Sequence, residues 1–153
     1  VILLDANVIL IQTRYQRDAN YAVNRRVLDA LTNGPDPVGI MAHGLYEVVG
    51  VMSFQLSPRQ IIALPATLQA QFRLSVIPNP DAMPDYAGCT YADVFGQLAQ
   101  QMSMGDAVMA VQLRKFAPPG SIFLTWDAQH FVNKVPLPVF RPDDWLATLS
   151  STP

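Results

Sequence analysis

Residues 1–10 read VILLDANVIL, and the fold turns on how this stretch is divided. Residues 1–4 form an uninterrupted apolar run, the pattern of a short strand covered on both faces of a parallel sheet. Asp5 ends that run and Asn7 follows two places on. From there ANVILIQTR reads as the start of a helix. A strand that ends on a carboxylate and passes into a helix is the first half of a βαβ unit. Open α/β sheets bind their ligands at the carboxyl ends of such strands.

The same alternation runs through the chain. Residues 21–33 carry helical apolar spacing at Tyr21, Val23, Val27, Leu28 and Leu31, with Asp18 as the cap and Gly34 as the stop. PVGIMA is a second strand, and HGLYEVVGVMSFQL reads as a helix that is mostly buried. Ser57, Pro58 and Gln60 form a helix start with a capping box, and Pro65 should kink or split the helix that follows. LSVIP is a third strand. The proline-rich segment 78–85 is the predicted flexible loop. Two helices broken near Ser103 to Gly105 come next, then a fourth strand in SIFLTWD. AQHFVNK reads as a short helix or loop, PLPVF as an edge strand and RPDDWLATL as a terminal helical turn. There are no internal repeats and no linker. The expectation is one domain over 1–153, an α/β sandwich around a mostly parallel sheet of four to five strands.

Half of the 153 residues are apolar and only 14% are charged, well below the roughly 25% of a typical soluble domain. This pattern predicts a compact core and a surface partly covered by a partner or a second copy. The net charge of −2 gives no overall attraction to nucleic acid, so any such contact needs a local patch. Arg14, Arg17, Arg25 and Arg26 are the candidates for an RNA-backbone contact, with an ordinary solvated helix face as the plainer reading. One cysteine, Cys89, excludes an intrachain disulfide and fits a reducing compartment. No apolar run is long enough to span a bilayer, and residues 1–10 lack the basic leader of a signal peptide. A cytoplasmic protein is expected, with a few residues preceding the first strand.

Eleven aspartates accompany a single glutamate, Glu47, which lies in an apolar stretch. Asp5 follows the first strand and Asp127 the fourth, so both belong at one end of the sheet. Glu47 lies in the helix after the second strand, and Asp106 opens an apolar helix. Helix starts that follow strands point to that same end. No Lys or Arg lies within five residues of Glu47 or Asp106. Unpaired carboxylates in apolar surroundings take up protons or find a cation. An oxygen-only donor set favours Mg²⁺ or Mn²⁺ over zinc. Such a cluster can activate water and steady the charge on a phosphoryl group. Plainer readings exist for each acid: a helix cap for Asp5, Asp106 and Asp127, and an exposed helix residue for Glu47. Asp93, Asp143 and Asp144 read as surface residues or caps, His43 and His130 as structural or exposed, and Cys89 as inert.

Taken in order, LLDANVIL, LYEVV, GDAVMA and FLTWDAQHF resemble the four acidic motifs of the PIN domain, over nearly the whole chain. The resemblance implies a three-layer α/β/α PIN-like sandwich and a Mg²⁺/Mn²⁺-dependent ribonuclease. Many members are VapC-type toxins of toxin–antitoxin pairs. Asp5, Glu47, Asp106 and Asp127 would then be the catalytic, metal-binding acids. Asn7 matches the polar residue that orients the first acid, and Thr125 the hydroxyl two before the last. The implied activity is endoribonucleolytic, with metal-activated water cutting the phosphodiester to a 5′-phosphate and a 3′-hydroxyl. The implied partners are RNA, a small antitoxin and a second copy in a homodimer. Two departures stand out: a long interval between Glu47 and Asp106 that contains the 78–85 loop, and no further acid beside Asp106 except Asp93. The second leaves one or two metals open. Two other readings compete. One is a catalytically silent PIN-like binding module. The other is a phosphatase of the haloacid dehalogenase type, which needs a proton-donating acid where Asn7 stands.

Overall fold

The computed structural model describes residues 1–80, 82 and 88–150. Strand β1 (Ile2–Leu4) leads into α1 (Ala6–Thr13) and α2 (Tyr21–Asn33). Then come β2 (Val38–Met41), α3 (Ala42–Met52), α4 (Pro58–Phe72) and β3 (Leu74–Ile77). The second half holds α5 (Tyr91–Leu98), α6 (Met104–Phe116), β4 (Ile122–Leu124), a 3₁₀ turn (Ala128–His130), β5 (Val139–Phe140) and α7 (Pro142–Ser150). The five strands pair in the order β3-β2-β1-β4-β5, every pair parallel. The expected sheet was mostly parallel; this one is wholly so.

Alternation along the strands builds two cores. Ile2, Leu4, Val38, Ile40 and Leu124 face one side, where α1, α2, α3 and α4 contribute Val8, Ile9, Val27, Leu28, Val48, Leu68 and Phe72. Leu3, Met41 and Phe123 face the other side, against Met109, Ala110 and Leu113 of α6. Helices on both faces of a parallel sheet make the three-layer sandwich. Gly39 is required at the sheet centre, because a Cβ there would stand 3.1 Å from Leu3 Cδ2 and 3.2 Å from Ile77 Cδ1.

Several local expectations change. Helix α2 starts at Tyr21 after Asn20, and Asp18 does not cap it. The Asp18 carboxylate accepts instead from the Asn20 backbone N–H at 2.7 Å, closing the turn before the helix. Helix α4 runs through Pro65 as one element. Pro65 removes one backbone donor, but the capping box at Ser57 and the buried Leu68 and Phe72 hold the helix from both ends. Helix α3 buries Ala42, Gly44, Leu45 and Val48 but leaves Tyr46 and Glu47 exposed, because the outer layer of a sandwich has solvent behind it. The terminal turn is a nine-residue helix, started by Pro142 and anchored by Trp145 in the core. The predicted 78–85 loop lies largely outside the described residues.

Phe123 and Phe131 meet edge to face, with ring centroids 5.1 Å apart, and both are fully buried. This pair fastens the segment after β4, which carries Asp127, onto the sheet. Phe123→Ala removes a large buried ring, and losses of this kind cost about 3–5 kcal/mol. Denaturant unfolding of the two proteins should show a loss in that range; a change below about 1 kcal/mol would mean that the pair does not hold this segment.

Candidate functional site

The carboxyl end of β1 continues one residue past the strand, where the Asp5 N–H donates to the Leu124 carbonyl at 3.0 Å. Asp5 then leaves the extended region into α1 as its N-cap. Its Oδ1 accepts from the Ala6 N–H at 2.8 Å. Its Oδ2 accepts from the Thr125 hydroxyl at 2.6 Å. The residue is 8% exposed. The cap reading and the site reading of Asp5 are therefore compatible, since one oxygen serves each.

Thr125 is fully buried at the end of β4 and uses every bonding position of its hydroxyl. Its proton goes to Asp5, while its oxygen accepts from Asn7 Nδ2 and from the Asp127 N–H, both at 3.1 Å. Asn7 Nδ2 also donates to Asp127 Oδ2 at 3.2 Å, and Asn7 Oδ1 accepts from the Trp126 N–H at 3.3 Å. Asp5, Asn7, Thr125 and Asp127 thus form one network across the neighbouring strands β1 and β4. Asp127 makes no side-chain cap to the 3₁₀ turn that follows it.

Glu47 and Asp106 complete the group from two helices. The sequence reading of Asp106 as a helix opener needs correcting: α6 begins at Met104, and Ser103 is the cap that accepts from the Asp106 N–H at 3.2 Å. The Asp106 carboxylate is thereby free to face His130, whose Nδ1 lies 3.3 Å from its Oδ2. Sequence reasoning did not join His130 to an acid; its position three residues after Asp127 was the available signal. His43, in the first turn of α3, is half-buried, and burial lowers its pKa against the raising effects of the Gly105 backbone and the Asp106 charge.

The electrostatics follow from this packing. Burial first, then the charges of Glu47 and Asp106, push the Asp5 carboxyl up to about 7, against the opposing bonds from Thr125 and Ala6. Glu47 is exposed, yet its pKa is also raised, by partial desolvation and by the charges of Asp106 and Asp127. The charges of Asp106 and Asp127 thus bear on Glu47, and those of Glu47 and Asp106 on Asp5. Among the described residues, however, no three His, Cys, Asp or Glu side chains are placed so that they could hold one ion as they stand. The donor chemistry fits a hard divalent cation: all oxygen, mutually repelling, with one carboxylate held in place by donors. Glu47 stands on the exposed face of α3.

Other candidates fall elsewhere. Arg14 lies over the Tyr15 ring at 5.9 Å, and Arg17, Arg25 and Arg26 are exposed; none is among the charges that shift Asp5 or Glu47. Arg141 does feel Asp127, although its main partner is Asp143, and it stacks on Trp126 at 5.1 Å. Sequence reasoning missed Arg141, which directly follows the last strand. Asp93 belongs to a capping box with Thr90 and pairs with Lys115. Burial pushes the Cys89 thiol up, away from nucleophilic use.

A carboxyl that binds its proton more tightly in the folded than in the unfolded state destabilises the fold as pH rises between the two pKa values. For Asp5 that window runs from about 4 to about 7. With chelator present, stability should fall across it by on the order of 4 kcal/mol, with Glu47 acting in the same direction. Asp5→Asn should remove most of the slope in denaturant unfolding read at pH 4.5 and 7.5. An unchanged slope in the variant would reject this assignment.

No protein-family profile and no curated protein sequence matches the chain. Solved structures do. FitAB bound to an IR36 DNA fragment aligns with a TM-score of 0.60 at 18% identity, covering 93% of this chain and 95% of that one. FitAcB from Neisseria gonorrhoeae aligns with a TM-score of 0.58 at 19% identity, over 93% and 98% of the two chains. VapBC2 from Rickettsia felis, bound to a DNA fragment from its promoter, gives 0.56 at 13% identity, over 92% and 97%. At these identities the likeness is one of fold alone, the PIN-like three-layer α/β/α sandwich.

Proposed function

We propose that this chain is a Mg²⁺- or Mn²⁺-dependent endoribonuclease and the toxin of a toxin–antitoxin pair. The observation that carries the reading is Asp5: a buried carboxylate, fixed by the Ala6 N–H and the Thr125 hydroxyl, whose neighbours within charge range are further acids. Proteins do not keep such a group at the mouth of a sheet for stability. Asp5, Glu47, Asp106 and Asp127 would hold the cation. When bound, it neutralises these acids, polarises water and steadies charge on the scissile phosphate.

The chain's own residues set the geometry. Thr125 fixes the Asp5 oxygen that faces β4, and the Asn7 amide holds the Asp127 carboxylate beside it. His130 Nδ1 stands 3.3 Å from the Asp106 carboxylate. Large apolar side chains left exposed, among them Phe54, Ile62, Tyr91 and Phe95, suit contact with a small antitoxin and with a second copy of the chain. The similar structures FitAB and VapBC2 are toxin–antitoxin complexes, which supports an antitoxin partner here. No helix of the described residues is long and apolar enough to cross a membrane.

One observation favours a second reading, a silent binding module: the acids are not spaced to hold an ion as they stand. The phosphatase reading gains nothing, because the Asn7 amide is committed to Thr125, Asp127 and Trp126 and has no acid proton to give. Cleavage of a mixed RNA pool with Mg²⁺, Mn²⁺ or EDTA separates the rest. The wild type should cut only with metal, and Asp5→Asn should lose cleavage by about two orders of magnitude or more while staying folded. Absence of both cutting and divalent-ion binding in the wild type would leave the binding module.

A further inference from the structure

Asn24 lies on α2, is fully buried, and is not one of the site residues. Its Nδ2 donates to the Val8 carbonyl at 2.9 Å, and its Oδ1 accepts from the Trp126 indole N–H at 2.9 Å. Both bonds are buried. Val8 follows Asn7, and Trp126 stands between Thr125 and Asp127. One amide thus ties the segment after β1 to the segment after β4. Trp126 is held at its other polar atoms as well: its N–H by Asn7 Oδ1 at 3.3 Å, its carbonyl by Arg141 at 3.3 Å. Arg141 closes the stack over the indole ring.

The geometry points to Asn24 as a positioning residue, which sets the Asp127 side of the site by clamping Trp126 against α1. The residue does not touch the acids. It acts through Trp126, whose backbone is bonded to Asn7 and whose successor is Asp127. Asparagine suits the post because its amide supplies a donor and an acceptor at once, in a place closed to water. Leucine would fill the space and leave the Trp126 indole N–H without a partner. The inference rests on the reading of Asp127 as a site acid.

The test compares the wild type with Asn24→Ala and with Trp126→Phe, which removes the indole donor together with part of the ring and keeps an aromatic side chain. Two quantities are read at a temperature where each protein is folded. The first is hydrogen exchange at the backbone N–H of residues 126 and 127, against that of Asp5, which bonds to Leu124 in the strand pair. The second is RNA cleavage at saturating substrate with Mn²⁺. Both variants should lose protection at residues 126 and 127 while Asp5 keeps it. Cleavage should fall roughly tenfold with KM little changed, as for other groups that orient a ligand from behind. Equal loss of protection at all three positions would make Asn24 a general stabiliser and overturn the inference. Unchanged protection at 126 and 127 would overturn it too. If Asn24→Ala does not fold, Trp126→Phe decides alone. If exchange changes as expected but the wild type cuts no RNA, the clamp stands and the nuclease reading falls.

Discussion

The Thr125 hydroxyl has one proton and two lone pairs, and the site depends on how they are spent. The proton goes to Asp5, and the lone pairs take the Asn7 amide and the Asp127 N–H. A serine could offer the same three bonds, but its hydroxyl rotates more freely. The β-branched threonine is stiff about χ1 and fits the end of a buried strand. Three groups from two strand ends therefore share one centre, and none can move without leaving another unsatisfied. The parallel pairing of β1 and β4 is what makes this possible, since it brings two strand ends that are 120 residues apart in sequence to the same edge.

Much of this was legible in the chain. Apolar runs at 1–4, 38–41 and 122–124 located the three inner strands, because in a parallel sheet covered on both faces nothing polar is tolerated inside, while the edge strand 74–77 carries the exposed Ser75. Asp5 and Asp127 could be placed at one end because each ends such a run. Resemblance to PIN motifs added Asn7 and Thr125, and the structure joins these four in one network. Legibility ended where distance in sequence is large and the signal is a single side chain. Asn24 reads as one more polar residue on an amphipathic helix, and nothing local says that its partner lies 102 residues away. His130 and Arg141 fail for the same reason.

The misplaced caps have a common cause. Asp18 and Asp106 are good capping residues by type, and the rule that assigns them counts only local neighbours. In each case the chain puts the cap elsewhere: α2 starts after Asn20, and α6 starts after Ser103. For Asp106 the displacement matters chemically. A carboxylate spent on its own helix start would have its oxygens turned to backbone donors. Moving the cap to Ser103 leaves Asp106 in the first helical turn, where the dipole favours its charge and its oxygens remain free to face His130. Pro65 does not split α4, because the packing of Leu68 and Phe72 outweighs its local penalty.

Stability and site chemistry pull against each other at this end of the sheet. Asp5 would be cheaper to bury as asparagine, and Glu47 would be quieter as glutamine, since both acids are raised by neighbours of like charge. The chain offsets this strain with donors aimed at particular oxygens rather than with Lys or Arg placed among the acids, His130 lying beside Asp106 alone. That choice separates a structural ion-pair cluster from a site open to an external cation. An arginine between Asp5 and Asp106 would neutralise both and close the pocket. Asn7, Thr125 and the Ala6 N–H instead donate to carboxylate oxygens and fix positions without cancelling charge. Arg141, whose pKa is raised first by Asp143 and last by the Asp127 charge, is turned onto Trp126 and Asp143. The negative potential is left for something from outside the chain to satisfy, and it is this residual field, more than any one acid, that argues for a bound cation.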